Sequence, residues 1–135
     1  MTPIEWTDAL QLDYAPMDDI HREFVALLAQ MQVAESSQLT QHWQSLLKHT
    51  ERQFRTEDGW MRKTRFSSAE QHMLQHRVVL NLMREGLHLG QAGELAPLRE
   101  MAMELGSWFA KHIQSHDAAL ALHLRSQNSS QAVGT

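Results

Sequence analysis

Residues 39–63 read LTQHWQSLLKHTERQFRTEDGWMRK. Leu39, Trp43, Leu46, Leu47, Phe54, Trp60 and Met61 recur at the three-to-four spacing that gathers side chains on one face of an α-helix. No proline interrupts the stretch. Polar residues share the apolar stripe: Leu46, Thr50, Gln53 and Glu57 keep the core period, and His49, Gln53 and Glu57 step by four along one face. A polar seam facing solvent is one reading. A carboxylate turned into a core is the other, and a buried carboxylate needs a partner, of which a metal ion is one kind.

The same period appears three more times. Met17, Ile20, Phe24, Leu27, Leu28 and Met31 mark a helix over about 17–36, with Pro16 at its first turn, where a missing N–H is harmless. A third helix opens near Ser67, whose spacing to Glu70 is that of a capping box, and continues through Met73, Val79, Leu80, Met83 and Leu87. Gly86, Gly90 and Gly93 are expected to loosen its end. A fourth, about 94–125, carries Leu95, Leu98, Met101, Ala102, Leu105, Phe109, Ile113 and Leu120, with Pro97 in its first turn. Alternating strand patterns are missing. The fold expected is all-α: an up-down-up-down four-helix bundle over residues 17–126, preceded by an arm, 1–16, anchored by Trp6, Leu10 and Leu12, and followed by a polar, fraying tail, 127–135.

Composition narrows the function. At 135 residues there is room for one domain. Twelve Lys and Arg against 16 Asp and Glu leave a net charge of −4, which argues against a protein that binds nucleic-acid phosphate. No segment reaches the ~20 apolar residues of a membrane span. The acidic, polar N-terminal stretch does not resemble a secretory signal, so a cytoplasmic location is expected. Cysteine is absent, which removes thiolate metal sites, disulfides and cysteine nucleophiles. Histidine is abundant, at nine residues, so a metal here would be held by nitrogen and oxygen. Met31, Met61, Met73, Met83 and Met101 lie on apolar stripes and read as core filling rather than a copper site. Nucleotide loops, catalytic triads and phosphate-binding signatures are not found.

The histidines fall on the helices. His21 lies between Ile20 and Phe24 on the inward side of the first. His72 and His76, at i and i+4, point the same way on the third and can share a metal. On the fourth, periodicity pairs His112 with His116. Asp117, at i+5, lies about 140° around an ideal helix from His112 and needs a distorted turn to join it. Each feature alone also fits ordinary packing. Together, on four successive helices, they can meet at one level of a bundle, and several imidazoles with bridging carboxylates suit a pair of iron ions.

In this order the motifs resemble the hemerythrin family, in its single-domain bacterial form, from Trp6 to about Leu120. The family's D-x-x-H is matched by Asp18-Asp19-Ile20-His21. Its H-F-x-x-E-E-x-x-M is matched by the segment from Gln53-Phe54 through Glu57-Asp58 to Met61. H-x-x-x-H falls on His72 and His76, and W-x-x-x-H-I-x-x-x-D on Trp108, His112-Ile113 and Asp117. The resemblance implies a non-haem diiron (Fe–O–Fe) centre: His72, His76 and His112 on one iron, His21 on the other, Glu57 and Asp117 bridging. It overrides the periodicity preference for His116.

One position departs from the family, since Gln53 stands where the pattern has histidine. Gln53 ligating through its amide oxygen or leaving a water, His49 reaching in from one turn (~5.4 Å) away, and a weak second site are the arrangements open. The function implied is reversible binding of dioxygen, or another small diatomic ligand, for storage, delivery or sensing, with a shorter-lived oxygenated form. The alternative is a diiron redox enzyme acting on O2, peroxide or nitric oxide.

Overall fold

Five α-helices follow one another in the computed structural model, which describes residues 3–133 and the side chains of 3–128. They are Ala15–Val33 (α1), Leu39–Lys63 (α2), Ala69–Gln91 (α3), Leu95–His112 (α4) and Ala118–Val133 (α5). A π-helical turn, Ile113–Asp117, joins α4 to α5 without a break, so the chain forms four rods. Each rod packs on its neighbour in sequence, and α1 closes the ring against α4. The last rod runs to Val133, well into the stretch expected to fray, because a helix already formed extends at little cost. Among the described residues no helix is long and apolar enough to cross a membrane.

The core is what the period-3.6 stripes dictate. Phe24, Met31, Trp43, Leu46, Phe54, Met61, Met83, Leu98 and Phe109 are all buried. Burying one such side chain is worth roughly 1.5–3 kcal/mol. Phe24 stacks on Phe109 with ring centroids 3.9 Å apart, pinning α1 to α4. The Trp43 indole N–H donates to the Met83 carbonyl at 2.8 Å, tying α2 to α3.

Two expectations about α3 are corrected. Ser68, not Ser67, precedes the helix, and no side-chain cap bond forms, so the Ser67–Glu70 capping box is not made. The cause lies upstream. α2 ends in a Schellman turn, with Arg65 in the left-handed region at φ 54° and the Phe66 N–H returning to the Met61 carbonyl at 3.0 Å. That geometry sets where the next helix can begin. Nor do the glycines loosen the helix end, since α3 runs unbroken through Gly86 and Gly90 and stops at Gln91. The stop is a second Schellman turn, closed from the Glu94 N–H to the Leu89 carbonyl at 2.9 Å, with Gly93 at φ 82°. Gly86 serves packing: a Cβ there would lie 2.7 Å from the Met101 sulfur and 2.9 Å from the Trp43 ring.

The arm lies along the bundle. The Ile4 N–H donates to Gln32 Oε1 at 2.7 Å, and Leu10 and Leu12 are buried. The Asp18 carboxylate accepts from the N–H groups of Leu12 (2.8 Å) and Tyr14 (3.2 Å). Arg125 of α5 donates to the Leu12 carbonyl, and the Arg22 guanidinium lies 5.0 Å over the Trp6 ring. The short 3₁₀ turn Asp8–Leu10 packs against the π-helical turn.

Gly86→Ala is expected to lower stability by about 1–2 kcal/mol in chemical denaturation, because the Trp43 ring cannot give way. Gly59→Ala, at an exposed helical position with nothing within 4 Å of a new Cβ, is expected to raise it by about 0.5–1 kcal/mol.

Candidate metal centre

The polar residues on the apolar stripes converge at one level of the bundle. Donor atoms of Glu57, His72, His76, His112 and Asp117 all lie within 4.8 Å of one another, and all five residues are buried. His21 meets the group from α1: its Nε2 is 3.0 Å from Glu57 Oε2 and 3.2 Å from Asp117 Oδ2. The opposite oxygens face the other way. Glu57 Oε1 is 3.3 Å from His76 Nε2, and Asp117 Oδ1 is 3.1 Å from His72 Nε2 and 3.3 Å from His112 Nε2. Each carboxylate therefore divides its two oxygens between a three-imidazole side and the His21 side.

Asp117 reaches the centre because of the π-helical turn. Five residues, Ile113–Asp117, span it, and the wider turn brings i and i+5 to the same face. His112 and Asp117 thus point inward together, and the helical reading that paired His112 with His116 is overturned. His116 is left at the rim, its ring stacked on that of His112 with centroids 5.3 Å and planes 8° apart.

Outer contacts aim the imidazoles. His76 Nδ1 donates to Asp58 Oδ1 at 2.8 Å, and His112 Nδ1 to Gln75 Oε1 at 3.2 Å. Donation outward through Nδ1 turns Nε2 toward the centre, as metal-ligating histidines require. Phe54 stacks on His76 with centroids 3.8 Å apart, and Trp108 on His112 at 4.5 Å. Sequence reasoning gave no role to Asp58 or Gln75. Their signal was adjacency, Asp58 following Glu57 and Gln75 preceding His76 on the same helices.

Gln53 is 2% exposed, one turn before Glu57, and neither its Oε1 nor its Nε2 has a hydrogen-bond partner. His49, a further turn away, stands outside the convergent group, with Nδ1 3.6 Å from Glu23 Oε2 and Nε2 buried and unpartnered. Among the described residues, every buried side-chain nitrogen or oxygen without a hydrogen bond belongs to His21, His49, Gln53, Glu57, His72, His76 or Asp117. Buried polar groups are rarely left so. The concentration of orphaned donor atoms fits a site built to hold cations through nitrogen and oxygen.

Where no cation is bound, protons take that part. Burial disfavours charge on His21, yet the Asp117 and Glu57 carboxylates prevail and raise it from 6.5 to about 10. At His76 burial is likewise outweighed, by Asp58 and Glu57, raising it to about 9. Burial would raise the Asp117 carboxyl, but contacts with His112, His21 and His72 hold it well below its ordinary 3.8. At His49 burial outweighs the pull of Glu23 and lowers the imidazole from 6.5.

An all-helical ring of rods with imidazoles and shared carboxylates buried at its centre defines the class of helical-bundle proteins with an internal metal site. Its relatives supply the family. The chain is 32% identical over 124 residues to a bacteriohemerythrin of Ralstonia nicotianae, covering 92% of this chain and 90% of that protein. A crystal structure of a hemerythrin point variant matches with a TM-score of 0.83 at 18% identity, covering 92% of this chain and 98% of that one, a likeness of fold. No family model matches. The chain belongs to the hemerythrin family.

The raised histidines set the pH response of the metal-free protein. A folded-state pKa above the unfolded one stabilises fully below about 6.5 and is lost as pH rises through 9–10. Denaturation of the metal-free protein is therefore expected to show stability falling by several kcal/mol between pH 6.5 and 10.5. A flat profile across that window would show that these imidazoles are not charged in the folded, metal-free state.

Proposed function

We propose that the protein binds two iron ions and, through them, dioxygen or a similar diatomic ligand. The observation that carries this reading is the division of each carboxylate's oxygens between two groups of imidazoles. Glu57 and Asp117, each facing both groups of imidazoles, are placed to bridge two cations. In this reading His72, His76 and His112 hold one iron, His21 and Gln53 the other, and Glu57 and Asp117 bridge. When bound, a reduced iron pair would supply the electrons on which reversible O2 binding draws.

The remaining work falls to the chain. Asp58 and Gln75 hold two imidazoles in the ligating tautomer. Phe54, Trp108, Phe24 and Phe109 line the surroundings with rings and exclude water, which slows oxidation of a reduced centre. Gln53 offers a neutral amide oxygen, a weaker donor than imidazole, so the His21 side is held less firmly and admits water more readily.

Reduction of O2, peroxide or nitric oxide is the second reading. It is favoured by a cavity of about 150 Å³ that Gln53 lines together with Glu23 and His49. Reductant-dependent consumption of peroxide or nitric oxide, beyond that of equivalent free iron, would select it.

Iron-loaded protein is expected to contain two iron per chain by elemental analysis. On admitting air after anaerobic reduction, a visible absorption should develop and then decay. Gln53→His is expected to retain iron better under chelator challenge and to prolong that absorption about tenfold or more, as an added imidazole ligand strengthens the site. Less than one iron per chain in the parent protein, with none gained by Gln53→His, would overturn the diiron reading.

A further inference from the structure

An ion bound for the centre has to come through the bundle wall, much of which is aromatic and aliphatic. One place offers a graded alternative. The cavity of about 150 Å³ between α1 and α2 is lined by Ile20, Glu23, His49, Arg52, Gln53 and Thr56. Its oxygen and nitrogen donors run from solvent inward. The Glu23 side chain is 69% exposed, with Oε2 3.6 Å from His49 Nδ1. His49 is nearly buried and keeps Nε2 without a partner. Gln53, one turn further along α2, is 2% exposed with both amide atoms unpartnered. Glu57 follows after one more turn, at zero exposure. Residues four apart on a helix are neighbours, so an ion can shift from one donor to the next without losing all ligands at once.

We propose that Glu23, His49 and Gln53 form the route by which a divalent cation reaches the His21 side of the centre, with Glu23 and His49 as a transient outer site. The inference rests on the diiron reading above. Carboxylate, imidazole and amide oxygen together suit a first-row divalent ion such as Fe2+ or Co2+. An exposed carboxylate at the mouth attracts the hydrated cation, and Arg52, on the same rim, opposes it. A second cavity, of about 240 Å³, reaches His72 past His116, but it is lined by serines, Gln71, histidines and apolar residues and has no carboxylate. The outer position of His49 explains why it shows no contact with the four central histidines, although it is buried and polar.

The test is cobalt uptake by the metal-free full-length protein, followed by stopped-flow visible absorption, with final cobalt per chain measured separately. Glu23→Gln and His49→Ala are each expected to slow uptake about fivefold while leaving the final cobalt content unchanged. Arg52→Gln is expected to speed it about twofold at low salt, with the gain vanishing at high salt as charges are screened. His116→Ala should match the parent. The route is overturned if the Glu23 and His49 variants load at the parent rate, or if His116→Ala is the slow variant. It is equally overturned if His49→Ala ends one metal short, for His49 would then be a resident ligand. A parent protein that binds no cobalt sinks the diiron reading itself; a parent that loads normally, with unaffected variants, sinks only the route.

Discussion

Two carboxylates at zero exposure, Glu57 and Asp117, are the constraint on which the molecule depends. Taking a charge out of water leaves a penalty of several kcal/mol even after relaxation. An apolar bundle cannot tolerate two such groups side by side without compensating positive charge. The compensation is brought from three of the rods: His21 from α1, His72 and His76 from α3, His112 from the end of α4. The apolar stripes bring the rods together, and the requirement to neutralise the two carboxylates fixes the level at which they meet. Packing and ionisation are thus one problem here, solved by bringing imidazoles from neighbouring rods to the two carboxylates.

The π-helical turn is the local deformation that this solution demands. A regular helix would have presented His116 where Asp117 now lies. A second carboxylate would then have been replaced by a fifth imidazole, leaving Glu57 as the one anion between the rods. The wider turn costs some hydrogen-bond quality, and its packing against the Asp8–Leu10 turn of the arm supports it from outside. Wider turns of this kind recur at functional positions because they change side-chain phase without ending a helix.

Much of this was legible in the residues. The stripe from Leu39 to Met61 specified a long helix, and Thr50, Gln53 and Glu57 on its core period left two readings, a seam facing solvent or polar groups inside, of which the second holds. The four rods followed from the same period. Asp117 was invisible to periodicity, because a helical wheel assumes a regular turn and the π-helical one is dictated by contacts between rods; only the family pattern pointed to it. The glycines of α3 misled for a related reason. Propensity sees a flexible residue, whereas Gly86 is there because Trp43 occupies the space a side chain would need. Asp58 and Gln75 escaped notice because their partners, His76 and His112, lie on other helices, at distances a linear reading does not contain.

Asp18 and Arg125 hold the arm by opposite ends of the chain. The Leu12 N–H is caught by Asp18, six positions away, but the Leu12 carbonyl is caught by Arg125, 113 positions away. During synthesis from the N-terminus, Leu12 is made before Arg125, so this far anchor forms after α5 appears. Until α5 has been made, the Leu12 carbonyl lacks its Arg125 donor, although Asp18, Arg22 and Gln32 of α1 already hold the arm. The cover over the π-helical turn thus draws on both α1 and α5, so the arm couples the first rod to the last.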